Sequence, residues 1–173
     1  GLKPGQHVLD IGCGTGTSTL RAAEIVRSTG HVDGVDISAQ MLARAQLNAK
    51  NASNVRFEAV DAADFPFETK KYDAVISRFG VLFFAEPIRA FANIRKGMKS
   101  GATLTMASWS FLDANPWFQI PMYAAKQRLG APPQLDPDGP GPLAFRDIDR
   151  VCGILTAAGF DAASGEAVAL DLT

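Results

Sequence analysis

Three glycines stand at alternate positions, Gly12, Gly14 and Gly16, in VLDIGCGTGTST, residues 8–19, directly behind an apolar run that carries Asp10. Lacking a Cβ, each can take positive φ and let the backbone approach a ligand closely. One glycine is enough for a tight strand-to-helix turn, so three at this spacing point to ligand contact. The chemistry of that ligand is narrowed by what is missing. A dinucleotide fingerprint, G-x-G-x-x-G, would put its third glycine at position 17, which is Thr17, and a phosphate loop would need a Lys-Ser or Lys-Thr pair. The spacing argues against a pyrophosphate, and a nicotinamide-dependent oxidoreductase remains as the second reading. No metal is expected. Cys13 and Cys152 have no metal spacing, and His7 and His31 fall at strand starts without a third ligand at a suitable distance in sequence.

A glycine loop does chemistry only if a strand and a helix hold it, and the sequence supplies both. Residues 7–11, 31–37, 54–60, 72–77 and 102–109 read as strands, while 17–28, 39–50 and 87–98 read as helices. In the third helix, Ile88, Phe91, Ile94 and Met98 form one apolar stripe. Strand alternating with helix predicts an α/β fold, doubly wound, with a mostly parallel sheet and helices on both faces. In such sheets ligands bind beyond the carboxyl ends of the strands, where strand order reverses, and the loop after the first strand lies there. Beyond residue 110 the pattern loosens into an aromatic-headed helix over 115–130, a loop over 131–145 with five prolines and two glycines, a helix near 147–158 and a last strand near 166–172.

The length, 173 residues with 47% hydrophobic, fits one domain, 1–173, able to bury a core. Seventeen basic and eighteen acidic residues leave a net charge of −1, so no global field recruits nucleic acid or an anionic membrane. No apolar run approaches the roughly 18 residues of a membrane span, no leader pattern stands at the start, and two cysteines suit reduced thiols. The chain therefore reads as soluble and cytoplasmic, with oligomeric state left open. The start close to the first strand without Met, and the stop at Thr173 near the last one, suggest truncation at both ends.

VLDIGCGTG resembles the first motif of the class I S-adenosylmethionine-dependent methyltransferases. The likeness continues through GVDIS (34–38), VDAADFPF (60–67), YDAVISRFGVLFFAEP (72–87) and RKGMKSGATLTMASW (95–109), covering about residues 1–110. Several linked motifs are far more specific than one glycine loop. The nearest likeness is to the small-molecule branch that includes quinone-biosynthesis enzymes. It implies a Rossmann-like fold, S-adenosyl-L-methionine as cofactor and a small-molecule methyl acceptor. It also implies a sheet closed by an antiparallel seventh strand, whereas this chain stops after what reads as the sixth.

The resemblance further implies roles by position. Gly12, Gly14 and Gly16 would line the methionine part of the cofactor, with Asp10 orienting their loop or reaching the ammonium. Asp36, twenty residues after Gly16, would accept hydrogen bonds from both ribose hydroxyls, a task suited to an acceptor-only carboxylate. Ser38 would supply the helix cap, leaving Asp36 free for it. Ile37 and Met41 would form a shelf for adenine or else pack in the core. Asp61 and Ala62 would contact the adenine edge, with Asp64 as competitor. Ser77 would present backbone to the methionine end, and Arg78, Phe79 and Phe83 would face the acceptor, unless Arg78 merely pairs with Glu86 or Asp73. Residues 109–145 would form a lid, with Trp109, Trp117 and Phe118 either enclosing an apolar acceptor pocket or filling the core.

Methyl transfer from a sulfonium needs alignment and exclusion of water more than a general base, so no catalytic residue is assigned. SRFG after the fourth strand lacks the Asn/Asp/Ser-Pro-Pro-Tyr type of motif that holds a flipped base or an amide, and no carboxylate cluster suits metal-dependent catechol chemistry. A catalytically silent cofactor-binding module is the third reading.

Overall fold

The structure, a computed structural model, describes residues 1–131 and 136–170. Five parallel strands form one sheet: β1 (His7–Ile11), β2 (His31–Asp36), β3 (Val55–Ala59), β4 (Tyr72–Arg78) and β5 (Met98–Ala107), in the order β3-β2-β1-β4-β5. From β1 the chain winds first to β2 and β3 on one side, then crosses to β4 and β5 on the other. The order reverses between β1 and β4, which pair from Val8↔Ala74 to Asp10↔Ile76. Strands buried on both faces must be apolar at nearly every position, and Val8, Leu9 and Val75 are fully buried.

Consecutive side chains divide the interior. Val8, Val32 and Ala74 pack with Ala22, Ala23 and Val26 of helix α1 (Thr17–Val26) on one face. Leu9, Ile11 and Val75 pack on the other face with Phe91 and Ile94 of α3 (Pro87–Gly97) and Val151 and Ile154 of α5 (Ile148–Ala157). Helix α2 (Ala39–Asn48) lies along β2 and β3, and α4 (Pro116–Leu129) follows β5. The caps are local: Ser38 Oγ accepts the Met41 amide at 3.3 Å, and Asp147 accepts the amides of Asp149 and Arg150.

Three expectations are corrected. Ile88 is 47% exposed, and the buried face of α3 is instead Ala90, Phe91, Ile94 and Gly97, because the helix turns that face toward α5 and the sheet. The fifth strand starts at Met98, opposite Tyr72, four residues before the predicted start. Lys99–Ala102 are taken up in a shift of register between Tyr72 and Ala74. The last strand expected near 166–172 does not form over 166–170, where Val168 and Leu170 are largely exposed, while 171 and 172 lie outside the described residues. Alternating apolar residues become a strand only where a ladder partner accepts them, and this segment has none among the described residues.

Candidate functional site

A cleft of about 670 Å³ opens where the sheet order reverses, bounded by the loops after β1, β2, β3 and β4. That size suits a cofactor-scale ligand. Its floor is Ile11, Gly12 and Gly14, and one wall is Asp36, Ile37 and Met41. Val60, Asp61 and Ala62 follow from β3, and Arg78, Phe79, Gly80 and Phe83 close the far side.

The alternate glycines have different physical reasons. A Cβ on Gly12 would lie 2.4 Å from the Cα of Gly80, so two loops cross there at backbone contact. Gly14, at φ 55°, faces open space, and its bare Cα borders the cleft. Gly16 does not line the cleft; a Cβ there would stand 3.0 Å from the Phe57 ring and 3.1 Å from the Ala45 Cβ, and the residue is the N-cap of α1. The loop amides are already used. Gly12 and Cys13 both donate to the Val35 carbonyl, at 2.8 and 3.1 Å, and Gly16 donates to Cys13 O at 2.9 Å. Gly14 N donates to Asp36 Oδ2 at 2.9 Å. These four amides do not form an anion-binding nest.

Asp36 therefore ties the end of β2 to the glycine loop. Its Oδ1 accepts the Ser38 amide at 2.8 Å, so each oxygen holds one backbone hydrogen and retains further accepting capacity in a residue that borders the cleft. Asp10 is buried beneath the loop. Its Oδ2 accepts the hydroxyls of Ser18 at 2.7 Å and Thr19 at 2.6 Å, pinning α1 to β1, while its Oδ1 has no partner among the described residues. Burial pushes the Asp10 carboxyl above its ordinary range, against the lowering effect of the two hydroxyls. Burial, with the charge of Asp10, likewise pushes the Cys13 thiol up to about 12, so it is no nucleophile at neutral pH.

Ile37 and Met41 are 77% and 48% exposed and border the cleft, which removes the core-packing reading for both. Asp61 and Ala62 also border it. Asp61 Oδ1 accepts the Ala63 amide at 2.9 Å, whereas Asp64 is engaged by Arg89. Ser77 is buried below the cleft: its Oγ donates to Ile11 O at 2.8 Å and accepts Val81 N at 3.3 Å, locking the ends of β1 and β4 together. Arg78 pairs with neither Glu86 nor Asp73 among the described residues; Lys99 takes Asp73.

Phe79 carries a positive φ of 65°, uncommon outside glycine, and its ring stacks on Trp109 at 4.3 Å and 6°. Trp109 meets Trp117 at 4.7 Å and Phe118 at 5.6 Å. Trp109, Trp117 and Phe118 thus stand behind Phe79 and do not border the cleft. The segment after them returns to the core, since Gly141 N donates to Leu82 O at 3.0 Å and Phe145 is buried against Phe91. Residues 132–135 of the proline loop lie outside the described residues. Gly80 escaped the sequence reading, because its partner Gly12 is 68 positions away and only the folded crossing shows the need. Val60 and Glu86 border the cleft from within the linked motifs, which imply no role there for either, and Arg89 borders it without a motif to mark it.

Comparison with known proteins gives a consistent result. A family profile described as a methyltransferase domain matches residues 2–137. The chain is 33% identical over 105 residues to the 2-phytyl-1,4-naphtoquinone methyltransferase of a Nostoc species, covering 59% of this chain and 46% of that one. It is 33% identical over 101 residues to the demethylmenaquinone methyltransferase of Staphylococcus aureus, covering 58% and 42%. It thus spans less than half the length of these relatives. Among solved structures, a SAM dependent methyltransferase from Aquifex aeolicus superposes with a TM-score of 0.70 at 22% identity, over 92% of this chain and 74% of that one, a likeness of fold.

Proposed function

The chain belongs to the methyltransferase-domain family of class I, S-adenosylmethionine-dependent enzymes, and we propose that it transfers a methyl group from S-adenosyl-L-methionine to a small-molecule acceptor. The observation that carries this reading is the charge and wiring of the cleft. Four carboxylates border it, Asp36, Asp61, Asp64 and Glu86, against two guanidiniums, Arg78 and Arg89. The amides of Gly12, Cys13, Gly14 and Gly16 are committed inside the protein. Such a site repels a pyrophosphate and accepts a ligand that carries a sulfonium and an ammonium. Nicotinamide-dependent oxidation is disfavoured on the same ground. The bare Cα of Gly14, open to the cleft, supports the fit.

When bound, the cofactor supplies a methyl group on a positively charged sulfur, set for in-line displacement. The chain's own residues bind and align. Gly12 and Gly14 let the methionine part lie close to the loop, and Asp36 accepts the ribose hydroxyls with the lone pairs its two amide bonds leave free. Ile37, Met41 and Ala62 hold adenine, with Asp61 at its amino group. Phe79 and Phe83 exclude water on the acceptor side. Alignment and exclusion of water are worth several kcal/mol without a proton acceptor. Asp10 and Ser77 act below the cleft by fixing α1 and the ends of β1 and β4. Gly16 sets the start of α1. Residues 109–145 serve the acceptor side through Trp109 and Trp117, which back the ring of Phe79. The domain is read as one unit, 1–173. Among the described residues no helix is long and apolar enough to cross a membrane, and a cytoplasmic setting without nucleic-acid partners belongs to the same proposal.

Titration calorimetry with S-adenosylhomocysteine tests the assignment. D36A should bind at least tenfold more weakly than wild type, since each hydrogen bond to a charged group is worth about 1.5–3 kcal/mol. Unchanged affinity would put the ribose elsewhere. A silent cofactor-binding module is the alternative, motivated by the partial span of the relatives. It would bind S-adenosylmethionine and never release S-adenosylhomocysteine by mass spectrometry, whatever acceptor is supplied.

A further inference from the structure

Six charged side chains border the cleft, and four of them, Asp36, Asp61, Asp64 and Arg89, have partners within the protein. Asp36 holds the amides of Gly14 and Ser38. Asp61 holds the amide of Ala63, and Asp64 pairs with Arg89. Glu86 has no side-chain partner among the described residues, but it sits at the N-terminal end of α3, just before Pro87, where a negative charge is favoured by the helix dipole. Of the two guanidiniums, Arg78 is the one left without a partner. Among the described residues its guanidinium forms no ion pair and no side-chain hydrogen bond, although it lies close enough for its charge to act on Asp10. It leaves β4 between buried Ser77 and the strained Phe79, so the backbone on both sides is fixed.

Its neighbours in the wall are flat and apolar. Phe79 is held by its stack on Trp109, and Phe83 is 58% exposed although its two chain predecessors, Val81 and Leu82, are fully buried. An exposed phenyl ring and an uncommitted five-donor fork on the same side of a cleft are complementary to one kind of molecule: a flat, largely apolar ring system with an ionised oxygen at its edge. We propose that Arg78 binds an oxyanion, carboxylate or phenolate, of an aromatic acceptor whose ring lies against Phe79 and Phe83. This rests on the methyltransferase reading, which makes that side of the cleft the acceptor side.

The test uses three naphthalene probes, titrated into the protein saturated with S-adenosylhomocysteine: 2-naphthoate, 2,4-dinitro-1-naphtholate, which is ionised at neutral pH, and neutral 2-naphthamide. At least one anion should bind tenfold or more tightly than the amide, and the tighter anion tells carboxylate from phenolate. R78M should bring that ratio to within about threefold, while R78K, which keeps the charge and loses the fork, should fall between. Equal binding of all three probes to the wild-type protein, or a preference that survives in R78M, would overturn the proposal. Circular dichroism of both variants checks the fold, which an exposed position at the end of β4 should preserve. If S-adenosylhomocysteine itself failed to bind, the cofactor reading alone would fall, because the probe preference is still read on the free protein.

Discussion

Replacing Gly80 by alanine should damage the cleft without touching any group that contacts ligand through its side chain. Gly80 has φ −79° and ψ −40°, a conformation alanine adopts freely, so backbone strain plays no part. The added Cβ would stand 2.5 Å from the Ile11 carbonyl oxygen and 2.6 Å from the Cα of Gly12. Carbon atoms are comfortable at about 3.5 Å or more, so the two loops must separate by about 1 Å. Neither loop can yield cheaply. Ser77 Oγ bonds both Ile11 O and Val81 N, and Gly12 N bonds Val35 O, so each side of the crossing is pinned to the sheet. Overpacking of this kind costs about 1–3 kcal/mol. The displaced loop is also the cleft floor, so affinity for S-adenosylhomocysteine should drop about tenfold, near 1.4 kcal/mol. Urea denaturation and calorimetry on G80A read the two effects. A variant within about 0.5 kcal/mol of wild type with full affinity would refute the crossing as the reason for both glycines.

Gly153 gives the opposite sign: it lies exposed inside α5, a Cβ there meets nothing within 4 Å, and G153A should stabilise by about 0.4–1 kcal/mol in urea. At the other end of the sheet, burial alone would raise the Asp33 carboxyl, but hydrogen bonds from Lys71 and Tyr72 and the charges of Lys71 and Arg56 hold it below its ordinary range. A depressed carboxyl contributes stability above its unfolded pKa and loses it as pH falls through the folded value. D33N should therefore cost roughly 2–3 kcal/mol at pH 7, reduced from a fully buried pair by the exposure of Arg56, and progressively less as pH falls below the ordinary carboxylate range. Asp10 is raised, so its contribution is full below the ordinary carboxylate pKa and fades as pH rises through the folded value. D10N, which cannot ionise and keeps an acceptor for Ser18 and Thr19, should gain on wild type as pH rises above the ordinary carboxylate range in the same denaturation series.

The sheet was legible because each strand carries its own signal. His7–Ile11, His31–Asp36 and Tyr72–Arg78 lie within a residue of the predicted bounds, since a doubly buried strand must be apolar almost throughout. The glycine spacing and the linked motifs singled out Gly12, Gly14, Asp36, Ile37, Met41, Asp61 and Ala62, and all of these border one cleft. What failed depends on partners distant in sequence. Alternation in residues 166–170 promised a strand, yet a ladder needs a neighbour that local sequence does not reveal. Apolar spacing gave α3 a stripe through Ile88, whereas packing against α5 chose Ala90 instead. The aromatics after β5 announced themselves as a group, but only the fold tells that Trp109 backs Phe79 from behind. Gly80 gave no signal at all, because an isolated glycine after a strand reads as an ordinary turn.

The most direct test of the central claim is a pair of calorimetric titrations of the same protein, one with S-adenosylhomocysteine and one with NADH. A cleft with four carboxylates on its walls and its glycine-loop amides spoken for should bind S-adenosylhomocysteine at micromolar level and NADH at least a hundredfold more weakly, a difference of about 2.7 kcal/mol. NADH binding as tightly as S-adenosylhomocysteine, or more tightly, would contradict the account.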